Sequence, residues 1–370
     1  GVQELCRLLD AHNHSIGDRK IHLQTSARTL DLLADFTLCD FPRLQKRGIW
    51  TWGYVVYDYR RFVDHMARLK MNWWIVWNDV PPLNAPEVIA YAHQRGIEVV
   101  FGYAWGWGLG GLDLADAGDR RKITQAAVEA YQRHYASLDL DGIYFQTLTE
   151  HHETHIHGRS VAALVCQLVN ETSAELYAFD PDLTIYFGLH ATSIRENYLD
   201  LADLDRRVTI VWEDAGGIPY LYEPALPPEH SPEAALDYSK KLASLRPGLP
   251  FALAPKGWSN LDWQNEFEHH GPYILGERSA EFVHRRLQEK QPLWDWRNAL
   301  WDRYNPLAAR FYREMLAAAP AGLMAAGLVE DGLFEARIQP SVALFAEMLW
   351  NPQRSDEELL RNALQRVNAL

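Results

Sequence analysis

A cluster of ionisable side chains follows a short apolar segment in the middle of this chain. The apolar run 142–145 leads through Gln146 into Glu150, His151 and His152. Parallel α/β enzymes display their catalytic side chains at the carboxyl ends of strands. Burying such a cluster for structural reasons alone is costly, because each charge then requires a partner or a proton. The sequence therefore predicts a chemical role for Glu150.

Two further acids, Glu213 and Asp214, end the strand predicted over residues 208–214. Glycosidic cleavage uses one protonated carboxyl beside the leaving oxygen and one carboxylate that activates water or attacks the sugar. Neighbouring acids push their pKa values apart, as these two roles require. We expect Glu150 to be the acid and Asp214, or failing that Glu213, to be the base. The alternative is that the pair caps the following turn, since Asp before glycines is common there.

The elements that position these residues alternate regularly along the chain. Strands are predicted over residues 49–56, 72–79, 97–107, 142–149, 183–190, 208–214, 250–256 and 323–330. Helices are predicted over residues 59–70, 86–93, 121–138, 160–178, 194–201, 231–245, 282–318 and 340–349. Such alternation indicates βαβ units and a parallel sheet. Eight units predict an α/β fold of the (β/α)8 TIM barrel type. No G-x-G-x-x-G follows the first strand, so the dinucleotide-binding alternative lacks its motif.

Three regions are expected. Residues 1–46 form a short N-terminal helix and lead-in, which is interpreted as the remnant of a preceding α/β domain. Residues 47–352 form the catalytic barrel, and residues 353–370 form one of the extra C-terminal helices. Because the chain begins on Gly1 directly in a helix, a natural N-terminus or a preceding domain is expected to be missing.

Polar and aromatic residues at the predicted strand ends are candidates for substrate binding, because a barrel assembles its site just past each strand. Indoles offer flat faces for sugar rings, and amides, imidazoles and a lysine bind hydroxyl or carboxylate groups. The alternative for His190 is a hydrogen bond within the core. These substrate-binding candidates are Asn78, Trp105, Trp107, Gln146, His151, His152, His190, Trp212, Lys256 and Trp258.

The composition of the chain limits the classes of molecule that the protein is expected to bind. The formal net charge of -13 disfavours nucleic acid and anionic membranes, because both require a basic face. Cys6, Cys39 and Cys166 have no metal-binding spacing, and their number favours a reducing, cytoplasmic compartment. No apolar run reaches the roughly 18 residues that span a bilayer. A carbohydrate is the expected partner.

The histidines after residue 150 allow a metal hypothesis. His151, His152, His155 and His157 surround Glu153, and imidazoles with carboxylates bind zinc. The H-E-x-x-H pattern is absent, although His151 and His155 would share one face if the segment were helical. We expect a loop without metal, and a metal-dependent hydrolase is kept as an alternative function.

Several segments resemble the glycoside hydrolase barrels related to α-glucuronidases, β-hexosaminidases and O-GlcNAcases. The resemblance rests on residues 1–5, 47–50, 62–72 and 89–97. The alternation of strands and helices expected for such a barrel covers nearly all the rest of the chain. In these relatives the general acid ends strand four, which corresponds to Glu150 here. The hexosaminidases carry Asp-Glu at that place, whereas this chain has Thr149 before Glu150. The α-glucuronidase branch has an acid there without the Asp and a carboxylate after strand six, which Glu150 and Asp214 resemble.

The resemblance implies an exo-acting glycoside hydrolase of a less characterised branch, working in carbohydrate metabolism without an organic cofactor. The terminal sugar that it removes is expected to be a uronic acid or an amino sugar. A carboxyl separation of about 5–5.5 Å implies retention and one of about 6.5–9.5 Å implies inversion, and we favour inversion. A non-catalytic carbohydrate-binding barrel is the remaining alternative, because barrels host many functions.

Overall fold

The computed structural model describes residues 40–106, 109–146, 153–190, 193–215, 231–258, 272–329 and 335–368. Eight strands in these ranges close into a parallel barrel, in which each strand pairs with the next one along the chain and the last pairs with the first. The predicted (β/α)8 barrel is therefore confirmed. The expected N-terminal helix lies outside the described residues.

The barrel strands are short and almost entirely buried. They are β1 (Lys46–Trp52), β2 (Trp73–Trp77), β3 (Glu98–Gly102), β4 (Gly142–Gln146), β5 (Ile185–Leu189), β6 (Val208–Trp212), β7 (Phe251–Leu253) and β8 (Leu323–Val329). All eight end before the predicted boundary, and after β1 and β3 the apolar pattern continues past the last strand residue. In β3, for example, pairing ends at Gly102 although aromatic residues follow.

Helices cover the outside of the barrel. They are α1 (Tyr59–Arg68), α2 (Ala85–His93), α3 (Ala117–His134), α4 (Val161–Phe179), α5 (Pro232–Leu245), α6 (Ala280–Arg303), α7 (Asn305–Ala318), α8 (Pro340–Trp350) and α9 (Asp356–Asn368). The single helical region predicted over 282–318 is two helices that meet at Tyr304. Short 3-10 helices occupy Gly53–Val55 and Arg195–Asp203.

Several helices begin at a side chain that accepts a first-turn N–H, which satisfies one of the free donors at a helix start. Asp58 caps α1, Ser160 caps α4 and Ser231 caps α5. Asp116 does the same for α3. These caps fix the residue at which each helix begins.

Strand alternation divides the apolar residues between two layers. In β2, Trp73 and Trp77 point into the barrel, whereas Trp74 faces outward and stacks on Phe62 of α1 at 5.1 Å between ring centroids. The interior is filled largely by aromatic rings and small aliphatic groups. Its buried apolar members are Trp50, Trp52, Val55, Trp73, Ile75, Trp77, Val100, Tyr144, Tyr186, Val211, Ala252, Ala254, Met324, Ala326 and Leu328.

The amino ends of the strands carry their own charged contact. Lys46 of β1 pairs with Glu98 of β3 and donates to Tyr186 Oη of β5 at 2.9 Å. Groups at this end of a barrel serve stability, because catalytic groups gather at the carboxyl ends. We therefore assign the pair of Lys46 and Glu98 to the stability of the barrel, and expect catalytic residues at the carboxyl ends of the strands.

Helix α9 is joined to the barrel through Glu347 of α8. This buried carboxylate contacts Arg366 of α9 and accepts from Arg354 Nη1 at 2.9 Å. Within the region 353–370, helix α9 occupies Asp356–Asn368. No helix within the described ranges is long and apolar enough to cross a membrane.

Candidate functional site

Four ionisable side chains converge at the carboxyl ends of neighbouring strands. His190 follows β5, Glu213 and Asp214 follow β6, and Lys256 lies three residues after β7. All four residues are at most 3% exposed. Burying four such groups is costly unless they compensate one another. Their mutual contacts are therefore the central feature of this site.

Glu213 has partners on both carboxylate oxygens. The Tyr144 hydroxyl donates to Oε1 in a very short contact, and Gln146 Nε2 donates to Oε2 at 2.7 Å. His190 Nε2 lies 2.9 Å from Oε2, and Lys256 Nζ lies 3.9 Å from the same atom. The carboxylate is thus anchored on one side by β4 and faces two cationic side chains on the other.

Asp214 shares the same two cations. His190 Nδ1 lies 3.2 Å from Asp214 Oδ1 within hydrogen-bonding geometry. Lys256 Nζ lies 3.6 Å from Oδ1 and 3.5 Å from His190 Nδ1. The imidazole of His190 therefore stands between the two carboxylates, with a different ring nitrogen facing each.

The electrostatics of the site follow from these contacts. Burial lowers the pKa of His190 and so does the charge of Lys256, but Glu213 and Asp214 outweigh both and raise that pKa to about 10. Burial raises the pKa of Glu213, yet His190, Lys256 and Tyr144 together lower it below the ordinary value. His190 is consequently an imidazolium and Glu213 a carboxylate at neutral pH. The two cations balance the two carboxylates.

A glycine in β5 makes room for this arrangement. A Cβ at Gly188 would lie 2.2 Å from Glu213 Oε1 and 2.2 Å from the Tyr144 hydroxyl. Both distances are far below van der Waals contact, so any side chain at position 188 would separate the tyrosine from the carboxylate. A glycine inside a strand marks such close approaches, and this was the sequence signal for a contact that the pattern analysis missed.

Gly188→Ala is expected to lower the free energy of unfolding by about 1–3 kcal/mol, because overpacking a dense core forces side chains off their rotamers. Urea denaturation of the variant and the wild type measures the difference. Gly110→Ala is the matched control, since a Cβ there meets no atom within 4 Å and the change should stay within about 0.5 kcal/mol. Equal stabilities for Gly188→Ala and the control would contradict the packing argument.

Two tryptophans expected to stack on substrate face the helices instead. Trp105 lies flat against Phe145, with 3.5 Å between ring centroids and planes 2° apart. Trp212 donates its indole N–H to Ser239 Oγ of α5 at 2.9 Å. Both residues are fully buried in the layer between strands and helices. These contacts do not support the predicted binding platform: Trp212 lies on the outward-facing side of β6, and Trp105 follows β3 and packs on Phe145.

Trp258 also lies outside the barrel interior. It stacks on Trp301 of α6 with 4.7 Å between centroids, and its N–H donates to Ser341 Oγ at 3.0 Å. A Cβ at Gly327 would approach its ring to 2.3 Å, so β8 is shaped around this indole. Trp258 therefore packs the helical layer against the barrel, and these contacts do not support the predicted role in substrate binding.

The aromatic rings next to the site come from β1, β2 and β4. Trp50 and Trp77 both meet the Tyr144 ring edge-on, at 5.9 and 6.0 Å between centroids. Trp52 meets Trp77 edge-on at 5.9 Å. Every second residue of a barrel strand points into the interior. Selecting tryptophans by this alternation, rather than by their distance from a strand end, would have identified these residues.

Asn78 lies at the end of β2, beside a segment that crosses the barrel mouth. Its backbone N–H donates to Gly102 O at 3.2 Å. Burial raises the pKa of the Tyr273 hydroxyl, and the side chain of Asn78 opposes this through a hydrogen bond. A Cβ at Gly53 would lie 2.2 Å from that hydroxyl, which places Tyr273 over the end of β1 as well. The side chain of Asn78 thus helps to hold Tyr273 beside the opening of the barrel.

The segment 272–279 that carries Tyr273 is held by backbone hydrogen bonds. Leu83 N–H donates to Tyr273 O at 2.8 Å, and Tyr59 N–H donates to Gly276 O at 3.0 Å. Arg278 N–H donates to Tyr57 O at 3.0 Å. These hydrogen bonds fix the segment across the loops that follow β1 and β2. This side of the barrel opening is therefore held by hydrogen bonds between backbone groups.

Four of the predicted site residues lie outside the described residues: Trp107, Glu150, His151 and His152. Of the remaining candidates, the structure brings together Gln146, His190, Glu213, Asp214 and Lys256. Asn78 lies on another part of the same barrel end, at the carboxyl end of β2.

Two of the clustered histidines lie in a β-hairpin rather than a helix. His155–Ile156 pairs antiparallel with Arg159–Ser160, and His157 and Gly158 form the turn with φ of 49° and 77°. His157 Nε2 contacts Asp113 Oδ2 at 2.9 Å. The helical spacing that would let His151 and His155 share an ion does not apply at His155. Within the described ranges, no three His, Cys, Asp or Glu side chains form a group suited to a metal ion.

Comparison with known proteins supports the fold. No protein-family model and no curated protein matches the sequence. The solved structure of CpGH84B is similar over 88% of this chain and 52% of its own, with a TM-score of 0.50 and 12% identity. An O-GlcNAc hydrolase mutant from Thermobaculum terrenum is similar over 87% of this chain and 64% of its own, with a TM-score of 0.50 and 13% identity. This chain therefore spans about half to two thirds of those longer proteins, and the likeness is one of fold.

Proposed function

We propose that this protein is a glycoside hydrolase that cleaves a terminal sugar with a carboxyl pair from strands four and six. The observation that carries the proposal is the buried group of Glu213, Asp214, His190 and Lys256 at the carboxyl edge of a barrel. Two carboxyl groups beside His190 and Lys256 lie at the end of the barrel where barrels perform catalysis, and a carboxylate is a common general base. The fold it shares with an O-GlcNAc hydrolase supports the same class.

The base in this proposal is Asp214 rather than Glu213. Both oxygens of Glu213 accept contacts from Tyr144, Gln146 and His190, so taking a proton from water would disrupt several of them. Asp214 Oδ1 lies 3.2 Å from His190 Nδ1 and 3.6 Å from Lys256 Nζ. The contacts that tie Glu213 to β4 therefore favour Asp214 as the base, with Glu213 as the alternative.

The acid in this proposal is Glu150, for which the support is its sequence position. Gln146 ends β4, and Glu150 follows four residues later, where the resemblance puts a general acid. In hydrolysis with inversion, a protonated carboxyl there would give its proton to the glycosidic oxygen, and an ionised one after β6 would activate a water molecule on the opposite face of the sugar ring. These two roles need no organic cofactor.

A panel of chromogenic glycosides tests the proposal. The panel includes neutral hexosides, uronides and N-acetylhexosaminides, each assayed with and without a chelator. We expect the wild-type protein to hydrolyse at least one class at the same rate in chelator. Sugar binding without hydrolysis of any member would favour a non-catalytic barrel. Activity that the chelator removes would favour the metal-dependent hydrolase.

A further inference from the structure

A buried carboxyl connects two loops at the carboxyl end of the barrel. Glu335 follows β8 and is 1% exposed, and its Oε1 accepts the Tyr57 N–H of the loop after β1 at 2.7 Å. We propose that this contact is a protonation-dependent switch, in which the uncharged carboxyl of Glu335 holds residues 53–58 at the barrel opening and loss of its proton releases them. The inference does not rest on the proposed function, because it assigns Glu335 no part in glycoside cleavage.

The surroundings of Glu335 favour the uncharged carboxyl. Among the described residues, no cation forms an ion pair with it, and its Oε2 has no hydrogen-bond partner. A charge that is buried without compensation is costly, so such a group keeps its proton. Burial accordingly raises the pKa of Glu335 from its ordinary value of 4.5 to about 8, although the backbone N–H groups of Tyr57, Glu335 and Asp58 oppose the change. The carboxyl is therefore mostly uncharged at neutral pH.

The acids next to this contact also disfavour ionisation. Asp58, whose side chain caps α1, raises the pKa of Glu335 further through its negative charge. Glu277 of the segment 272–279 forms a β-bridge with Asp58, and its side chain lies 3.7 Å from Arg60. Ionisation of Glu335 therefore adds a negative charge beside one that is already present.

The arginines on the neighbouring elements contact other groups. Arg286 of α6 donates to Tyr57 Oη at 3.2 Å, and the guanidinium of Arg278 lies 5.1 Å from the centroid of an aromatic ring of α6. Arg337, on the loop before α8, lies 3.8 Å from Asp295. None of these arginines in the described part of the chain forms an ion pair with the buried carboxyl. The ionised carboxylate is therefore stabilised by reaching water, which requires the contact with Tyr57 to open.

Residues 53–58 link the interior of the barrel to the segment across its opening. Val55 belongs to the buried interior, and Tyr54 packs against that interior. Tyr57 O accepts the Arg278 N–H at 3.0 Å. Opening of the contact at the Tyr57 N–H therefore loosens the chain between the aromatic residues of the interior and the segment that crosses the opening.

Hydrogen exchange of the free protein measures this release directly. A carboxyl with a pKa of about 8 in the closed loop and 4.5 in the released loop stabilises the closed loop most at low pH, and this stabilisation is lost as the pH rises towards 8. Amide protection over residues 53–58, corrected for the intrinsic pH dependence of exchange, should therefore fall about tenfold per pH unit between about pH 6 and 8 in wild type. In Glu335→Gln, the amide oxygen accepts the same N–H without a titrating proton, so protection should not change with pH.

Glu277→Gln is the matched control, because it removes a carboxylate from the same junction of loops, where 45% of the side chain is exposed. It should keep the wild-type fall in protection. In spectra of protein labelled with ¹³C at the glutamate carboxyls, wild type should also show a signal that titrates with a pKa of about 8 and that Glu335→Gln lacks.

Constant wild-type protection of residues 53–58 between about pH 6 and 8 overturns the inference, even if Glu335→Gln fails to fold. The absence of any wild-type glutamate signal that titrates above about pH 7 does the same. An unchanged fall in protection in Glu335→Gln, or its loss in Glu277→Gln, assigns the effect to other groups and also overturns it. No glycoside enters these measurements, so they stand whether or not the protein hydrolyses one.

Discussion

Asp214→Asn is expected to lower kcat on the hydrolysed glycoside by about 10²–10⁴-fold, the usual contribution of a general base. Asparagine has nearly the same shape as aspartate, so contacts of Oδ1 with His190 and Lys256 are retained in outline. The amide cannot accept the proton of an attacking water. Steady-state kinetics with purified variant and wild type measure the ratio, and circular dichroism checks the fold.

Asp205→Asn is the control for this substitution. Asp205 lies just before β6, at the opposite end of the strand from Asp214, and pairs with Arg207 Nη2 at 2.7 Å. The control removes the same charge from the same part of the chain, and kcat should stay within a factor of two or so of wild type because the residue is far from the chemistry. A normal rate in Asp214→Asn would refute its role as base.

Lys256→Met is expected to lower the free energy of unfolding by about 3–5 kcal/mol, the usual cost of removing one partner from a buried ionic group. Methionine fills much of the volume of the lysine stem, so the loss reports charge rather than a cavity. Lys256 lies within 4 Å of Glu213 and Asp214. Without it, His190 is the remaining cation that the described residues place beside the two buried carboxylates. Urea denaturation monitored by tryptophan fluorescence gives the difference.

The matched control is Lys240→Met on α5. Lys240 pairs with Glu314 at 2.9 Å, but 39% of its side chain is exposed. Such a surface pair contributes about 0–1 kcal/mol, so the control should be nearly as stable as wild type. If the two lysine variants lost equal stability, the buried group would not be the charge-balanced unit described above.

The barrel could be predicted from the sequence because its signal is distributed over the whole chain. Strands such as β2 and β5 are uninterrupted apolar runs, and helices such as α1 begin at a capping side chain and carry one apolar stripe. The boundaries were less accurate, since apolar residues after Gly102 extend the pattern without extending the strand.

The polar half of the site was also predictable from position. His190, Glu213 and Lys256 each follow a strand, and closure of the barrel alone brings these strand ends together. The aromatic half was not, because one residue of error in a strand turns a side chain from the interior to the helices. Trp212 and Glu213 are adjacent, yet the first packs on α5 and the second meets Tyr144 inside the barrel.

The contact between Tyr144 and Glu213 could not be predicted by composition or spacing. It joins residues 69 positions apart, and its presence depends on a missing side chain at Gly188 in the strand between them. A glycine within an apolar strand is a weak sign on its own. It becomes informative once the order of neighbouring strands is known.

The central claim, a hydrolase with its acid after strand four and its base after strand six, is tested most directly by one series of measurements. Wild type, Glu150→Gln and Asp214→Asn are assayed on aryl glycosides of one sugar whose leaving groups differ in acidity. We expect Glu150→Gln to lose little rate on the most acidic leaving group and about 10²–10⁴-fold on the least acidic, because only the latter needs a proton. Asp214→Asn should lose rate equally across the series. A Glu150→Gln variant that hydrolyses the whole series at the wild-type rate would contradict the account.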